Sequence, residues 1–347
     1  MRAALLRAPG SLAVEDVPEP DCPEGGLLIK VDACSICASD IKMFRVGHRD
    51  LAYPRILGHE VTGTILESSS RQLDLEEGTR VQVWPGMACG RCPQCLRGND
   101  TQCSSLGILG FNRDGGFAER MAVAAECVQV GGAVPIPDDT PSDLASLTEP
   151  LACCVNAQEA LRVSEGDSVL VIGAGPLGAL HLLLARQRGA SSTIVVEKQA
   201  SRCEAISKAY PDLVINSVGA EAYSQVMESN GGRGVDVVIL ATPEVPINDE
   251  LMNVLAPRGR LCIFSGLPRT GSHSSIDLNL VHYLERTIVG AYGCRSSDDR
   301  TALRLLSTRE VEAGWLITKR VPLERIEEGL RHAAEREGMK ATVTEFN

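Results

Sequence analysis

The stretch that decides the fold is Ser168–Gly178, which reads SVLVIGAGPLG. Its first half is mostly β-branched or aliphatic and predicts a strand buried on both faces, and Ala179–Ala185 has the apolar spacing of a helix. The two are joined by a Gly-x-Gly-x-x-Gly turn. In such a turn Gly173 permits the tight bend, Gly175 lets the backbone approach a pyrophosphate, and Gly178 lets the helix pack closely on the strand. The stretch therefore predicts a dinucleotide-binding turn, rather than a glycine-rich turn without a ligand.

A second apolar run and an acidic residue support this interpretation. Thr193–Val196 ends in Glu197, 19 residues beyond Gly178. An acid at that distance can bind the ribose diol of NAD and repel the 2′-phosphate of NADP, although Lys198 or Arg202 could bind such a phosphate through its positive charge. The candidate cofactor-binding residues are Gly173, Gly175, Pro176, Leu177, Gly178, Glu197, Arg202, Thr242 and Ser265. We expect NAD to be preferred over NADP.

The 347 residues suggest two domains. Residues 1–150 carry short apolar runs between glycines and prolines, which predicts a β-rich lobe. Residues 151–290 alternate strands with helices, which predicts a doubly wound parallel sheet. Its strands are expected at 168–172, 193–197, 213–215, 235–240 and 259–264. Residues 291–347 return to short mixed elements and are expected to rejoin the first lobe. The predicted fold class is α/β, with a β-rich domain and a doubly wound parallel-sheet domain.

Composition excludes several classes of function. The chain is 44% apolar and 23% charged, and it contains no stretch long enough to cross a bilayer. A net charge of −11 argues against a nucleic-acid partner and against a polybasic membrane patch. The first residues resemble a strand more than a signal peptide, so the thirteen cysteines are interpreted as metal ligands or catalytic groups first. We expect a cytoplasmic protein.

Four cysteines lie close together in the sequence, at Cys89, Cys92, Cys95 and Cys103. Four thiolates on one loop can close a tetrahedral zinc site that has no position left for substrate. A zinc ribbon that binds nucleic acid would need two separated cysteine pairs and a basic surface. The loop therefore predicts a structural zinc.

A second set of metal-binding residues is spread along the chain, at Cys37, His59, Glu60 and Glu149. A thiolate, an imidazole and a carboxylate can bind a zinc ion whose fourth position is open to water or substrate. Singly, these residues could equally be a buried cysteine, a core histidine and exposed acids. Beside a dinucleotide fold they favour a catalytic zinc, because removal of hydride from an alcohol needs a Lewis acid. Asp40 could orient His59 through its second ring nitrogen.

These motifs follow one another in a characteristic order. They are Cys37–Asp40, Gly58–Glu60, the four-cysteine loop, Gly115–Glu119, Glu149–Pro150 and the glycine-rich turn. Over essentially its whole length the chain resembles the zinc-dependent medium-chain dehydrogenases/reductases. The resemblance implies a GroES-like catalytic domain, a Rossmann domain and two zinc ions per chain.

The resemblance also implies roles for single residues. Cys37, His59 and Glu149 match the catalytic-zinc positions, and Glu60 matches a glutamate that binds the metal directly or exchanges with water. Ser39 matches the hydroxyl that receives the substrate proton. Many relatives carry a histidine three residues later that passes this proton to solvent, whereas this chain has Lys42. An ammonium group relays protons poorly at neutral pH.

A glutamate followed by proline as the third ligand is typical of the sorbitol, threonine, sugar and aminocyclitol dehydrogenases. The resemblance thus implies hydride transfer from a secondary hydroxyl of a polyol, sugar or (amino)cyclitol to NAD, giving a ketone. A simple alcohol or threonine dehydrogenase is the alternative, and a non-catalytic nucleotide-binding relative is a third. The implied partner is a small hydroxylated substrate, and the implied assembly is a homodimer or homotetramer.

Overall fold

The computed structural model describes residues 1–267 and 272–346, which form two compact units. The first unit combines Met1–Ala152 with the segment from Cys294 onwards, and the second is Cys153–Gly293. The sequence predicts junctions at 150 and 290. The predicted fold class, a β-rich domain and a doubly wound parallel-sheet domain, is confirmed. Among the described residues, no helix is long and apolar enough to cross a membrane.

The N-terminal part of the first unit consists mainly of short strands. They are β1 (Arg2–Ala8), β2 (Ser11–Asp16), β3 (Leu27–Ser35), β4 (Arg55–Ile56), β5 (Glu60–Ser68), β6 (Arg80–Val83), β7 (Gly86–Met87), β8 (Gly107–Ile108), β9 (Arg120–Val123) and β10 (Ala133–Pro135). The helices are α1 (Ala38–Val46), α2 (Pro93–Leu96), α3 (Ala125–Gln129), α4 (Ser142–Ala145) and α5 (Thr148–Ala160).

The large sheet of this unit carries the elements that later matter for the site. β5 pairs antiparallel with β3, and the register puts Glu60 opposite Ser35. Side chains from both strands, such as Ile29 and Val61, are fully buried in one apolar core. Because that core fixes both strands, it also fixes the end of β3 that leads to α1 against the start of β5.

The second unit is a six-stranded parallel sheet in the order β13-β12-β11-β14-β15-β16. Its elements are β11 (Ser168–Ile172), α6 (Pro176–Gln187), β12 (Ser192–Val196), α7 (Ala200–Ile206), β13 (Leu213–Ile215), α8 (Gly219–Ser229), β14 (Val235–Leu240), α9 (Asp249–Asn253), β15 (Leu255–Ile263), α10 (Asn279–His282) and β16 (Thr287–Gly290). All residues of β11 are buried, as the apolar run predicts for a central parallel strand. At its start, Asp236 accepts hydrogen bonds from the backbone N–H and the hydroxyl of Ser168 (2.9 and 2.6 Å).

Two features of this sheet were not predicted. β16 is a four-residue edge strand whose residues are exposed or half-buried, so it lacks the apolar run that marks the inner strands. β15 begins at Leu255, before the predicted start at 259. The chain bulges within this strand at Arg258, where φ is 64°. The pairing of β15 with β14 shifts register across this bulge.

The C-terminal segment returns to the first unit. It forms α11 (Ser296–Ser307), β17 (Ile317–Pro322), α12 (Ile326–Glu335) and β18 (Lys340–Glu345). β18 lies between β3 and β17 in the large sheet, antiparallel to β3 and parallel to β17. Thr342 pairs with Ser35 in this register, so the start of β18 reaches the same region as the start of β5.

Candidate active site and metal centres

The four cysteines of the loop between β7 and β8 converge. The Sγ atoms of Cys89, Cys92, Cys95 and Cys103 all lie within 4.8 Å of one another. Cys92 and Cys95 are 3.5 Å apart, and Cys89 and Cys95 are 4.0 Å apart. Four sulfurs placed tetrahedrally at about 2.3 Å from zinc would be about 3.8 Å from one another. The geometry and chemistry of this donor set fit zinc.

The backbone of the loop supports these sulfurs. The N–H of Cys92 donates to the sulfur of Cys89, and the N–H of Cys89 donates to the sulfur of Cys103 (3.3 Å each). Hydrogen bonds from the backbone N–H groups of Cys95 and Ser104 lower the pKa of the Cys92 thiol to about 6. The loop thus favours the thiolate at Cys92, the form that binds metal, whereas burial and the neighbouring Cys92 raise the pKa of Cys95 to about 12.

A second cluster joins Cys37, His59 and Glu60, whose ligand atoms lie within 4.8 Å of one another. Cys37 is the N-cap of α1, and His59 and Glu60 stand at the start of β5. His59 is only 4% exposed and Glu60 is fully buried. The pairing of β3 with β5 brings these residues together from distant parts of the sequence.

The buried carboxylate of Asp40 connects both parts of this cluster. It accepts hydrogen bonds from the N–H of Cys37 (2.8 Å) and from the N–H of Gly58 (3.3 Å). One of its oxygens lies 3.5 Å from Nδ1 of His59. A carboxylate in this place orients an imidazole whose other nitrogen binds a metal.

The cluster provides both the acceptors and the charge that a cation needs. Oε2 of Glu60 is buried without a hydrogen-bond partner in the described residues. Burial lowers the pKa of His59, but Asp40 and Cys37 outweigh it and raise this pKa well above its ordinary value. The surroundings therefore stabilise positive charge at this point. A buried acceptor without a partner is costly, and a bound cation would remove that cost.

Ser39 adds a hydroxyl to the cluster. It lies in the first turn of α1, and its Oγ is 3.3 Å from Nε2 of His59. Lys42, one helical turn further on, is exposed. Ser39 is thus placed beside the face of His59 that would meet a metal.

Lys340 enters the site from β18. Its Nζ lies 2.6 Å from Oε1 of Glu60, and the two side chains are 6% and 0% exposed. Burial lowers the pKa of Lys340, but the nearby charges of Glu60 and Cys37 outweigh this effect and raise the pKa above its ordinary value. Lys340 therefore remains an ammonium group that balances the anionic ligands.

Glu149 occupies a neighbouring position. It lies in the first turn of α5, is 9% exposed, and has its carboxylate within 4.8 Å of the thiol of Cys294. Its charge contributes to the raised pKa of Lys340. The structure thus gathers Cys37, His59 and Glu60 in one cluster and places Glu149 in a second cluster with Cys294.

The glycine-rich turn has the backbone that its sequence predicts. Gly173 has a φ of 107°, and a Cβ on Gly178 would stand 1.9 Å from the carbonyl oxygen of Gly173. Pro176 begins α6 directly after the N-cap Gly175, and Leu177 continues the helix. The bare turn leaves the N-terminus of a 12-residue helix open to an anion, which fits a pyrophosphate.

Glu197 follows β12 and lies against this turn. It is 7% exposed, and its two oxygens accept the N–H groups of Ala174 and Gln199, each at 2.9 Å. The guanidinium of Arg202 lies 3.4 Å from where a Cβ on Gly175 would stand. Lys198 forms an ion pair with Glu244.

The remaining predicted cofactor residues lie at the ends of two further strands. Thr242 follows β14, and its Cβ lies 3.2 Å from the Cβ position of Gly173. Ser265 follows β15, and its N–H donates to the carbonyl of Leu240 (3.1 Å). The predicted residues are therefore found at the carboxyl ends of β11, β12, β14 and β15, where parallel sheets of this type bind ligands.

Comparisons with known proteins cover the same regions. Residues 23–138 match the alcohol dehydrogenase GroES-like domain, and residues 176–308 match the zinc-binding dehydrogenase domain. The chain is 33% identical to L-threonine 3-dehydrogenase of Pyrococcus abyssi over 308 residues, which cover 87% of this chain and 85% of the relative. The chain belongs to the zinc-dependent medium-chain dehydrogenase/reductase family.

Other members of the family are similar over nearly the whole chain. Sorbitol dehydrogenase of Bacillus subtilis is 28% identical, with 96% of this chain and 93% of the relative covered. A solved structure from Sinorhizobium meliloti 1021, assigned as a zinc-binding dehydrogenase and bound to NADP, has a TM-score of 0.87 at 28% identity. It covers 99% of this chain, and this chain covers 98% of it. The predicted enzyme class, a zinc- and NAD(P)-dependent alcohol dehydrogenase, is confirmed.

Sequence reasoning did not identify two residues of this dehydrogenase site. Lys340 is 280 residues from Glu60 and lies in a strand whose pattern gives no sign of a buried charge. Cys294 is a single cysteine that no motif connects with Glu149. Both contacts depend on the return of the C-terminal segment to the first unit, which only the tertiary fold specifies.

Proposed function

We propose that this dehydrogenase oxidises a secondary hydroxyl of a polyol, sugar or (amino)cyclitol with NAD and releases the ketone. The observation that carries the proposal is the convergence of Cys37, His59 and Glu60, with the Ser39 hydroxyl 3.3 Å from Nε2 of His59. The named relatives support the substrate class, because L-threonine and sorbitol both carry a polar group beside a secondary hydroxyl.

The proposed enzyme uses two metal sites and an oriented histidine. Cys37, His59 and a carboxylate, Glu60 or Glu149, would hold the catalytic zinc, and the four-cysteine loop would hold the structural zinc. When bound, the catalytic zinc supplies a Lewis acid that makes a hydroxyl more acidic, and NAD supplies the hydride acceptor. Asp40 holds the imidazole of His59 in place through Nδ1.

Ser39 accepts the proton that the substrate hydroxyl gives up. Its hydroxyl both accepts and donates hydrogen bonds, and Ser39 is only half-buried, so it can take up one proton while passing its own to water. Lys340 keeps one oxygen of Glu60 paired. The charge of Glu60 is thereby held in place during turnover.

The second oxygen of Glu60 supports the preference for functionalised substrates. It is a buried acceptor without a hydrogen-bond partner in the described residues. When Glu149 is the carboxylate that holds the zinc, a hydroxyl or ammonium group next to the oxidised carbon could pair with this acceptor, whereas a plain aliphatic alcohol could not. An acceptor left unpaired in a dry site costs roughly 1–3 kcal/mol.

The test is a comparison of kcat/KM at saturating NAD for two classes of alcohol. Butane-2,3-diol, sorbitol, a cyclitol and L-threonine form one class, and ethanol and 2-propanol form the other. We expect vicinal diols or amino alcohols to be oxidised well ahead of the simple alcohols. A higher kcat/KM for 2-propanol would favour the simple alcohol dehydrogenase, and preference for L-threonine alone would favour the threonine dehydrogenase.

We also propose that the protein is a cytoplasmic homo-oligomer. None of the thirteen cysteines forms a disulfide, which is the usual state in the reducing cytoplasm. We expect a homodimer or homotetramer, which light scattering of the purified protein would measure. A monomer at micromolar concentration would contradict this part of the proposal.

A further inference from the structure

Three aromatic rings form a continuous series that starts at the candidate metal centre. The centroid of the Phe111 ring lies 5.5 Å from that of His59 and 5.3 Å from that of His48. Both contacts are edge-on, with interplanar angles of 61° and 87°. His48 is therefore one phenyl ring away from His59.

The loop that carries Phe111 is fixed on the backbone beside His59. A Cβ on Gly110 would lie 3.0 Å from the backbone nitrogen of Gly58, and a Cβ on Gly115 would lie 2.1 Å from the Gly58 carbonyl oxygen. Asn112 closes the loop, since its side-chain oxygen accepts the N–H of Ile108 (2.8 Å). Packing this tight leaves Phe111 little freedom to move away from His59.

Exposure increases along the series. The side chain of His59 is 6% exposed, Phe111 is half-buried, and the side chain of His48 is 24% exposed. The three rings thus run from the buried ligand towards solvent. A substrate group that reached outward from the metal centre along these rings would meet His48.

The orientation of His48 leaves one nitrogen available. The N–H of Asp50 donates to Nδ1 (3.3 Å), and the Asp50 carboxylate lies 3.5 Å from the same nitrogen. Both contacts with Asp50 are made by Nδ1, so Nε2 is the ring nitrogen left for another partner, as a donor or an acceptor according to the tautomer. Within residues 1–267 and 272–346, the structure gives Nε2 no hydrogen-bond partner. His48 therefore offers a hydrogen-bonding nitrogen at the solvent end of the series.

We propose that His48 binds the substrate, by a hydrogen bond between Nε2 and a hydroxyl carried beyond the oxidised carbon and its neighbour. This inference rests on the proposed polyol-type function and specifies it: His48 would select substrates that carry a distal hydroxyl over diols that lack one. The interaction is made equally in the bound substrate and during reaction, so its loss should appear mainly in KM.

The test uses two substrates that differ only in distal hydroxyls. Butane-2,3-diol and erythritol have the same four carbons and the same central diol, but erythritol adds a hydroxyl at each end. His48→Phe keeps a ring against Phe111 and removes both nitrogens, whereas His48→Gln keeps an N–H near the position of Nε2. His282→Phe, at an exposed histidine of the other unit, is the matched control.

We expect His48→Phe to lower the ratio of kcat/KM for erythritol over butane-2,3-diol by about three- to tenfold, the range for one hydrogen bond. His48→Gln should restore most of the ratio, and His282→Phe should leave it unchanged. The ratio is taken within one preparation, so a change in the folded fraction of a variant cancels. An unchanged ratio in His48→Phe would overturn the inference and leave the proposed function standing. A wild-type enzyme that oxidises neither of these substrates, nor sorbitol, a cyclitol or L-threonine, would overturn both.

Discussion

The ion pair between Lys340 and Glu60 is the residue-scale feature with the clearest energetic consequence. Lys340→Met keeps the length of the side chain but leaves a fully buried carboxylate without its partner. Removing one member of a buried pair costs about 3–5 kcal/mol. We expect that loss in the free energy of unfolding of metal-free protein, measured by urea titration after chelation, and a smaller loss when zinc is present.

Lys340→Arg is the control for this prediction because it keeps the positive charge. Its free energy of unfolding should lie closer to that of the wild type. If Lys340→Met were as stable as the wild type in the chelated state, the carboxylate of Glu60 would have to be neutral or hydrated in the folded protein.

Glu197 is the residue that should decide between the two nicotinamide cofactors. Its buried carboxylate would meet the 2′-phosphate of NADP with like charge, and Lys198 is already paired with Glu244. We expect the wild type to prefer NAD, and Glu197→Gln to raise the kcat/KM ratio of NADP over NAD by roughly tenfold, about 1.4 kcal/mol.

Glu228→Gln is the matched control for cofactor preference, since it removes the charge of an exposed acid in the same unit. It should leave the ratio unchanged. The similar structure from Sinorhizobium meliloti holds NADP. A wild-type preference for NADP would mean that Arg202 attracts the 2′-phosphate more strongly than Glu197 repels it.

At the scale of elements, the turn between β11 and α6 depends on a close approach of two backbones. A Cβ on Gly178 would stand 1.9 Å from the carbonyl oxygen of Gly173, so Gly178→Ala must push α6 away from the strand. We expect this variant to lose most NADH binding, measured by fluorescence titration, and to have a lower Tm. Gly290→Ala, whose Cβ would meet nothing within 4 Å, should bind NADH as the wild type does.

If Gly178→Ala bound NADH with wild-type affinity, α6 would have to shift without disturbing the turn. The anion-binding role of that helix N-terminus would then be wrong.

At the scale of the whole molecule, the two candidate zinc sites should be separable. Cys92→Ser should lower Tm and expression because a structural metal contributes folding energy. His59→Ala should abolish turnover while NADH binding stays nearly intact. Metal analysis should give about two zinc ions per chain for the wild type and about one for each variant. A metal-free wild type, or an active His59→Ala, would contradict the assignment.

How far the sequence predicts this molecule depends on the range of the interactions. The turn at Gly173–Gly178 and the four-cysteine loop are encoded within a few residues, so their spacing is sufficient to identify them. β16 is too short and too exposed to give a periodic signal. The partners of Glu60 and Glu149 are set by how the C-terminal segment pairs with β3, which no local pattern records.

The position of β18 has a consequence for how the protein is made. The nucleotide-binding unit is contiguous, from Cys153 to Gly293, so all its strands have left the ribosome while the last residues are still being added. The large sheet of the other unit cannot be completed then, because β18 is its last strand to be synthesised and lies inside the sheet rather than at its edge. The middle of the chain can therefore fold before the N-terminal part has its final partner, against the usual order in which domains fold from the N-terminus. Until β18 arrives, Cys34 and Ser35 of β3 lack their partner residues in β18 and the carboxylate of Glu60 lacks Lys340, so both are open to a chaperone or another nascent chain.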